Sequence, residues 1–259
     1  MTAGPLAGRR IVVTRAAQQS GGLRERLEQQ GAEVLLLPTI EIVPPESYAP
    51  LDDALRQARG FDWLVVTSAN AVRVMDERLT AFGLGAQSLA HLRCAAVGPS
   101  TADALRELGL AVDVVPERYV GEALADVLAD RVGGQRVLLV RAAVARDVVP
   151  DALAAAGARV TTVDAYRTVV PADAAGRARA VFSDEPLPDA VVFTSGSTVT
   201  HLLDVLRDAG LAFPREVACV SIGPVTSTAL RDAGLVVAAE AEMASLDGLV
   251  DACMRFLAT

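Results

Sequence analysis

Trp63-Leu64-Val65-Val66-Thr67-Ser68 returns further along the chain as Ala190-Val191-Val192-Phe193-Thr194-Ser195. Outward from this pair, Arg10-Ile11-Val12-Val13-Thr14-Arg15 returns as Arg136-Val137-Leu138-Leu139-Val140-Arg141. Ala96-Val97-Gly98-Pro99-Ser100-Thr101 returns as Ser221-Ile222-Gly223-Pro224-Val225-Thr226. The offset stays within 125 to 127 residues, so the halves are duplicates with almost nothing inserted between them. A solenoid unit runs to roughly 20–50 residues, so a repeat this long means two similar domains. Two similar domains create a cleft in which a ligand can sit.

Each half alternates short β-branched runs with amphipathic helices, the pattern of a parallel sheet covered on both faces. The first half reads as strands over 10–14, 33–37, 62–67, 93–97 and 111–115, with helices over 18–30, 49–58, 69–82, 99–108 and 120–131. The second half repeats this order from a strand at 136–140 to a helix at 246–257. Gly31, Gly109, Gly157 and Gly234 stand where a left-handed helix C-cap is wanted. Two matched segments, 38–45 and 164–171, are β-prone and end at proline. They read either as edge strands inside each domain or as two arms carrying the chain between domains. With arms the domains are discontinuous: 1–37 joins 172–259, and 46–163 forms the other. Pattern alone leaves both arrangements open.

With 259 residues, 52% of them hydrophobic, the chain can bury two cores of ordinary size. A net charge of −8 argues against a nucleic-acid or anionic-membrane surface. All 24 basic residues are arginine, which excludes a Schiff-base lysine and a P-loop lysine. Met1 to Gly8 lacks the charged-then-apolar order of a secretory signal, and no apolar run approaches the ~20 residues of a membrane span. A cytoplasmic protein is expected. Cys94 and Cys219 are repeat partners in apolar strands, and Cys253 lies in the last amphipathic helix; all three read as buried small hydrophobes. His91 and His201 have no metal-ligand spacing to a cysteine or carboxylate, so no metal is expected.

In an open α/β sheet the ligand crevice lies beyond the carboxyl ends of the strands. Three turns per half fall there: Thr14-Arg15 and Val140-Arg141; Thr67-Ser68-Ala69-Asn70 and Thr194-Ser195-Gly196-Ser197; Gly98-Pro99-Ser100-Thr101 and Gly223-Pro224-Val225-Thr226. The glycine- and hydroxyl-rich turns each open a helix, whose first N–H groups lack internal partners and sit at the positive end of the dipole. Such ends bind carboxylates or phosphates without lysine. Taken singly, Ser68, Ser100 and Ser195 are also natural N-caps. Their convergence on one space favours binding, with Thr14, Arg15, Ser68, Asn70, Ser100, Thr101, Arg141, Ser195, Gly196, Ser197 and Thr226 as the candidate contacts. Thr-Arg-Ala-Ala after the first strand is not G-x-G-x-x-G, and Ser195-Gly196-Ser197 is not G-x-S-x-G, so dinucleotide and nucleophilic-serine chemistry lack their fingerprints.

Together these turns resemble the uroporphyrinogen-III synthase family over essentially the whole length. The resemblance rests on Val-Val-Thr-Arg (12–15) with Gly31 and Pro38, Val-Thr-Ser-Ala-Asn-Ala-Val (66–72), and Ala-Val-Gly-Pro-Ser-Thr (96–101). It continues in Leu-Leu-Val-Arg (138–141), Asp-Ala-Tyr-Arg-Thr (164–168), Phe-Thr-Ser-Gly-Ser (193–197) and Ser-Ile-Gly-Pro-Val-Thr (221–226). It implies an α/β fold of two similar parallel-sheet domains joined by a two-stranded antiparallel linker, with 38–45 and 164–171 as the arms. It also implies a monomeric, cofactor-free hydro-lyase that closes linear hydroxymethylbilane to uroporphyrinogen III. In that chemistry the ring A hydroxymethyl oxygen departs to give an azafulvene. Ring D then attacks through its substituted α-carbon, and the spiro intermediate recloses with ring D inverted. A transient contact with the enzyme that supplies the bilane is a further expectation.

Tyr166 is the candidate catalytic residue. Its repeat partner is Ile40, so the duplicates diverge at one position of an arm. The family places a tyrosine there, implicated in departure of the ring A hydroxyl, and a phenol can donate a hydrogen bond to a leaving oxygen. The bland reading is a tyrosine packed across a strand ladder. At Asn70 the chain departs from family members that carry a basic residue. The competing function is a non-catalytic two-lobed binding or sensing protein for a polyanionic small molecule.

Overall fold

The structure is a computed structural model that describes residues 4–15, 17–143 and 147–258. Met1–Ala3, part of the opening stretch read for a signal, lie outside the described residues. In chain order the elements are β1 (Arg10–Val13), α1 (Ala17–Gln29), β2 (Glu33–Leu36), β3 (Glu41–Val43), α2 (Ala49–Arg56), β4 (Trp63–Val66), α3 (Ala69–Ala81), β5 (Arg93–Ala96), α4 (Pro99–Glu107) and α5 (Gly121–Ala129). There follow β6 (Arg136–Ala142), α6 (Val148–Ala155), β7 (Arg159–Val169), α7 (Ala174–Phe182), β8 (Ala190–Phe193), α8 (Gly196–Asp208), β9 (Ala218–Ser221), α9 (Pro224–Asp232), β10 (Val237–Glu240) and α10 (Leu246–Leu257).

These form two compact units: a discontinuous one, Met1–Glu41 with Val169–Thr259, and a central one, Ile42–Thr168. The discontinuous unit holds a sheet of order β10-β9-β8-β1-β2, and the central unit one of order β3-β7-β6-β4-β5. In the first, β1 pairs in parallel with both β2 and β8, β8 with β9, and β9 with β10. In the second, β4 pairs in parallel with β5 and β6, and β6 with β7.

The continuous apolar strands follow from burial on both faces, because alternate side chains leave opposite sides of a strand. In the discontinuous unit Ile11, Val13, Val192 and Val220 pack with Leu23, Leu27, Leu249 and Cys253 of α1 and α10. On the other face Val12, Val191, Phe193 and Cys219 meet Ala178, Leu202 and Leu230 of α7, α8 and α9. The central unit repeats the scheme, with Leu64, Val66, Leu138 and Val140 on one face and Trp63, Val65, Val137 and Leu139 on the other. Each fully buried Val or Leu contributes about 1.5–3 kcal/mol.

Matched aspartates fix the strand starts. Asp62 Oδ2 accepts the Arg136 N–H at 2.8 Å, and Asp189 Oδ2 accepts the Arg10 N–H at 2.8 Å. The four glycines read as C-caps all have positive φ, Gly31 at +93° and Gly109 at +90° among them. At Gly31 a Cβ would also come within 3.2 Å of the Ala7 backbone, so only glycine fits.

Three local features differ from the sequence reading. Residues 111–115 form only a single bridge, Ala95 to Val114, because Asp113 turns its carboxylate back onto the Cys94 N–H at 2.8 Å. Short 3₁₀ turns at Ala58–Gly60 and Ala86–Leu89 stand where none was read. Finally, β7 runs unbroken from Arg159 to Val169, so most of segment 164–171 is the far end of a sheet strand, with β3 as its neighbour.

All three cysteines are buried free thiols. Burial pushes Cys94 up to about 11, with Asp113 adding to the shift, and pushes Cys219 and Cys253 up to about 12. A thiol whose folded pKa is raised contributes stability that is complete below its ordinary value near 9.0 and is lost as pH rises toward 11–12. The native protein should therefore ignore a thiol reagent at pH 8 and release three thiols in denaturant. Its denaturation midpoint should fall as pH climbs above 9; fast native labelling at any of the three would contradict the burial.

Candidate active site

In both units the nominated residues stand at the carboxyl ends of parallel strands. In the central unit these are Ser68 and Asn70 after β4, Ser100 and Thr101 after β5, Arg141 near the end of β6, and Tyr166 within β7. In the discontinuous unit they are Thr14 and Arg15 after β1, Ser195, Gly196 and Ser197 after β8, and Thr226 after β9.

The two serine turns have the same backbone job. Ser68 has extended dihedrals and its Oγ accepts the Ala71 N–H at 3.1 Å; Ser195 does the same for Thr198 at 3.3 Å. Both are N-caps, each satisfying one orphan donor. Beyond that they diverge. Tyr166, buried at 8% exposure, donates its phenolic O–H to Ser68 Oγ at 3.0 Å. In the other unit the arm position is Ile40, and Ser195 Oγ instead lies 2.9 Å from Ser197 Oγ.

A serine oxygen has two acceptor sites and one proton. At Ser68 both acceptor sites are taken, by Ala71 and by Tyr166, so the serine proton is left to donate outward. The pair thus presents a polarised O–H backed by a phenol, able to donate to an oxygen acceptor.

The remaining residues separate into occupied and open groups. Thr14 is fully buried, its Oγ1 donates to the Val192 carbonyl at 3.4 Å, and its own carbonyl accepts from Thr39 Oγ1 at 3.2 Å; it joins β1 to its neighbours. Arg141 forms an ion pair with Asp147 at 2.8 Å and borders a cavity of about 140 Å³ with Thr67, Gly121 and Glu122. Arg15 has no carboxylate within ion-pair distance among the described residues, and burial lowers its guanidinium from the ordinary value. A cation held without a counter-ion in a partly desolvated place suits an incoming carboxylate. Thr101 and Thr226 are buried residues whose hydroxyls have no hydrogen-bond partner among the described residues, and Ser100 is exposed. Asn70 and Gly196 lie in the first turns of α3 and α8.

A cavity of about 680 Å³ gathers none of these residues. It lies in the central unit beside Leu55, Arg59, Gln87 and His91, by the 3₁₀ turns that precede β4 and β5. Among the described residues no cluster of three His, Cys, Asp or Glu is placed to hold a metal, and no helix is long and apolar enough to cross a membrane. Reading the sequence missed Ser221, Ser227 and Glu240, which form a connected polar chain behind the α9 turn. The signal was available, since their repeat partners Ala96, Ala102 and Val115 are all apolar.

A family model for uroporphyrinogen-III synthase HemD matches residues 22–251. A uroporphyrinogen-III synthase from Synechococcus elongatus is 35% identical, over 95% of this chain and 94% of its own. The porphyrin biosynthesis protein HemD of Ruminiclostridium josui is 33% identical, over 95% of this chain and 48% of its own. Among solved structures, a mutant uroporphyrinogen III synthase from Thermus thermophilus shares the fold with a TM-score of 0.70, covering 96% of this chain and 99% of that one at 24% identity.

The cap geometry sets an unequal cost for the two serines. Ser68→Ala loses a cap and strands the Tyr166 hydroxyl, which together should cost about 2 kcal/mol. Ser195→Ala loses a cap and an exposed contact with Ser197 that water can replace, and should cost about 1 kcal/mol. Urea unfolding at constant m-value measures both, and equal costs would mean that the Tyr166 contact adds nothing.

Proposed function

The chain belongs to the uroporphyrinogen-III synthase family, enzymes of tetrapyrrole biosynthesis, and from that premise we propose that it closes hydroxymethylbilane to uroporphyrinogen III as a cytoplasmic hydro-lyase, with Tyr166 and Ser68 assisting the departure of water. The observation that carries this reading is the 3.0 Å hydrogen bond from Tyr166 to Ser68, present in one unit of a duplicated chain and replaced by Ile40 and a serine pair in the other. A bland ladder contact would need no capping serine at its end. A binding protein without chemistry would have no use for a donor relay confined to one repeat.

In the proposed step the Ser68 O–H donates to the hydroxymethyl oxygen on ring A while Tyr166 donates to Ser68. The C–O bond breaks, the proton from Ser68 leaves with the oxygen as water, and the phenol proton passes to the serine. The ring A N–H is given up as the azafulvene forms, and that proton restores the phenol. Charge never accumulates on a distant group, because each proton given up is returned within the same step. Ring D then attacks through its substituted carbon, the spiro intermediate fragments, and reclosure inverts the ring. For these later steps the protein's contribution is orientation of a flexible chain. Arg15 and the helix ends at Ser100–Thr101 and Ser195–Ser197 are the proposed holds for the substrate's carboxylates.

Two measurements test this. Hydroxymethylbilane generated in situ with the protein present, followed by oxidation and chromatographic separation, should give type III isomer in excess; type I alone at the uncatalysed rate would end the proposal. Tyr166→Phe should lower kcat on the order of a hundredfold, with near-UV circular dichroism unchanged. An unchanged kcat would remove the acid role and leave Tyr166 as a packing residue.

A further inference from the structure

The Gly-Pro turns that open α4 and α9 are sequence twins, and neither helix has an acidic residue in its first turn. What stands behind them is different. Ser227, the fourth residue of α9, donates its hydroxyl to Glu240 Oε2 at the end of β10. Ser221, the last residue of β9, has its Oγ 2.5 Å from Ser227 Oγ. Since the single Ser227 proton goes to the carboxylate, Ser221 is the donor of the second bond, and the chain points from buried strand end to carboxylate. Both serines are fully buried. In the central unit the repeat partners are Ala96, Ala102 and Val115, the first two fully buried and all three apolar.

A buried hydroxyl without a partner is costly, so the three polar residues make sense only together. They hold the carboxylate of Glu240, an exposed residue, against Ser227 at the end of the first turn of α9, the helix end that favours negative charge. The α9 turn therefore already has an anion beside it, while Thr226, a buried residue in the same turn, has no hydrogen-bond partner for its hydroxyl among the described residues. Among the described residues the α4 turn has no such carboxylate; Ser100 there is exposed, and the hydroxyl of the buried residue Thr101 has no hydrogen-bond partner.

We propose that Glu240, acting through Ser227 and Ser221, is a specificity-determining group that makes the α9 turn reject carboxylates. On this inference Thr226 receives an uncharged, hydrogen-bonding part of the substrate, and the carboxylates are held where no internal anion competes, at the α4 turn among other places. The inference rests on the synthase reading and deepens it by dividing one polycarboxylate substrate between unequal helix ends.

The test uses the full chain and two opposite changes. Glu240→Gln keeps an acceptor for Ser227 and removes the charge. Val115→Glu brings a carboxylate to the α4 turn of the other unit. Each is compared with the unaltered protein in KM and kcat for hydroxymethylbilane, and in the Kd of uroporphyrin, an octacarboxylate, by fluorescence titration. Glu240→Gln should lower KM and Kd about three- to tenfold while reducing kcat, because the substrate gains an unproductive hold. Val115→Glu should raise KM and Kd about three- to tenfold with kcat retained. Both shifts should shrink in about 0.5 M salt. A purely structural chain predicts a Glu240→Gln protein with unchanged Kd, and that result overturns the inference. Should Glu240→Gln fail to fold, Val115→Glu decides, and an unchanged Kd there also overturns it. Unaltered protein that forms no type III isomer brings down the synthase reading and this inference with it, whereas type III formation with unmoved variants sinks the inference alone.

Discussion

The parallel pairing of β1 with β8 holds the discontinuous unit together. It sets Ile11 beside Ala190 and Val13 beside Val192, and the Asp189 carboxylate locks it by taking the Arg10 N–H and the Arg9 guanidinium. The Asp189–Arg10 clamp joins residues 179 apart, against 74 for the matched Asp62–Arg136 clamp of the central unit. By loop-closure entropy the longer span costs less than about 1 kcal/mol extra. A sheet assembled from both chain ends is therefore tolerated at equilibrium, and the flanking strands β2 and β9 each dock on one member of this pair.

The same pairing places the chemistry. A parallel strand ends where its neighbour ends, so β1, β8 and β9 deliver Arg15, Ser195 and Thr226 to one edge of their sheet. In the central unit β4, β5 and β6 do likewise for Ser68, Thr101 and Arg141. Tyr166 reaches Ser68 because β7 continues past the last residue of β4, with a register shift between Arg141 and Ala142 that re-aims the strand. A bulge next to a functional side chain is a common way to redirect it.

Much of this is legible in the amino-acid order alone. The repeat, the parallel strands, the four C-cap glycines and the capping serines are local patterns, and each follows from one-dimensional rules on burial period and backbone conformation. Less legible is anything that depends on which atom faces which. Thr14 and Arg15 are adjacent and both polar, yet one is sealed between strands and the other has no counter-ion among the described residues. Arg141 looks like the twin of Arg15 and is paired with Asp147. The Ser221–Ser227–Glu240 chain joins three separate elements, so nothing links its members until the fold brings them together. The repeat helps here, because positions where twins differ mark where packing no longer explains the residue.

The discontinuity of the first unit also bears on how the chain is made. Synthesis proceeds from the amino end at about 5–20 residues per second. Every strand of the central sheet, β3 through β7, is synthesised before β8. Through that interval β1 and β2 must wait with one long apolar edge unpaired, since the neighbour that covers Ile11–Val13 does not yet exist. The nascent chain thus passes through an obligatory period in which its opening strands lack a sheet partner, while the portion bearing Tyr166 and Ser68 has all of its own sheet partners already synthesised.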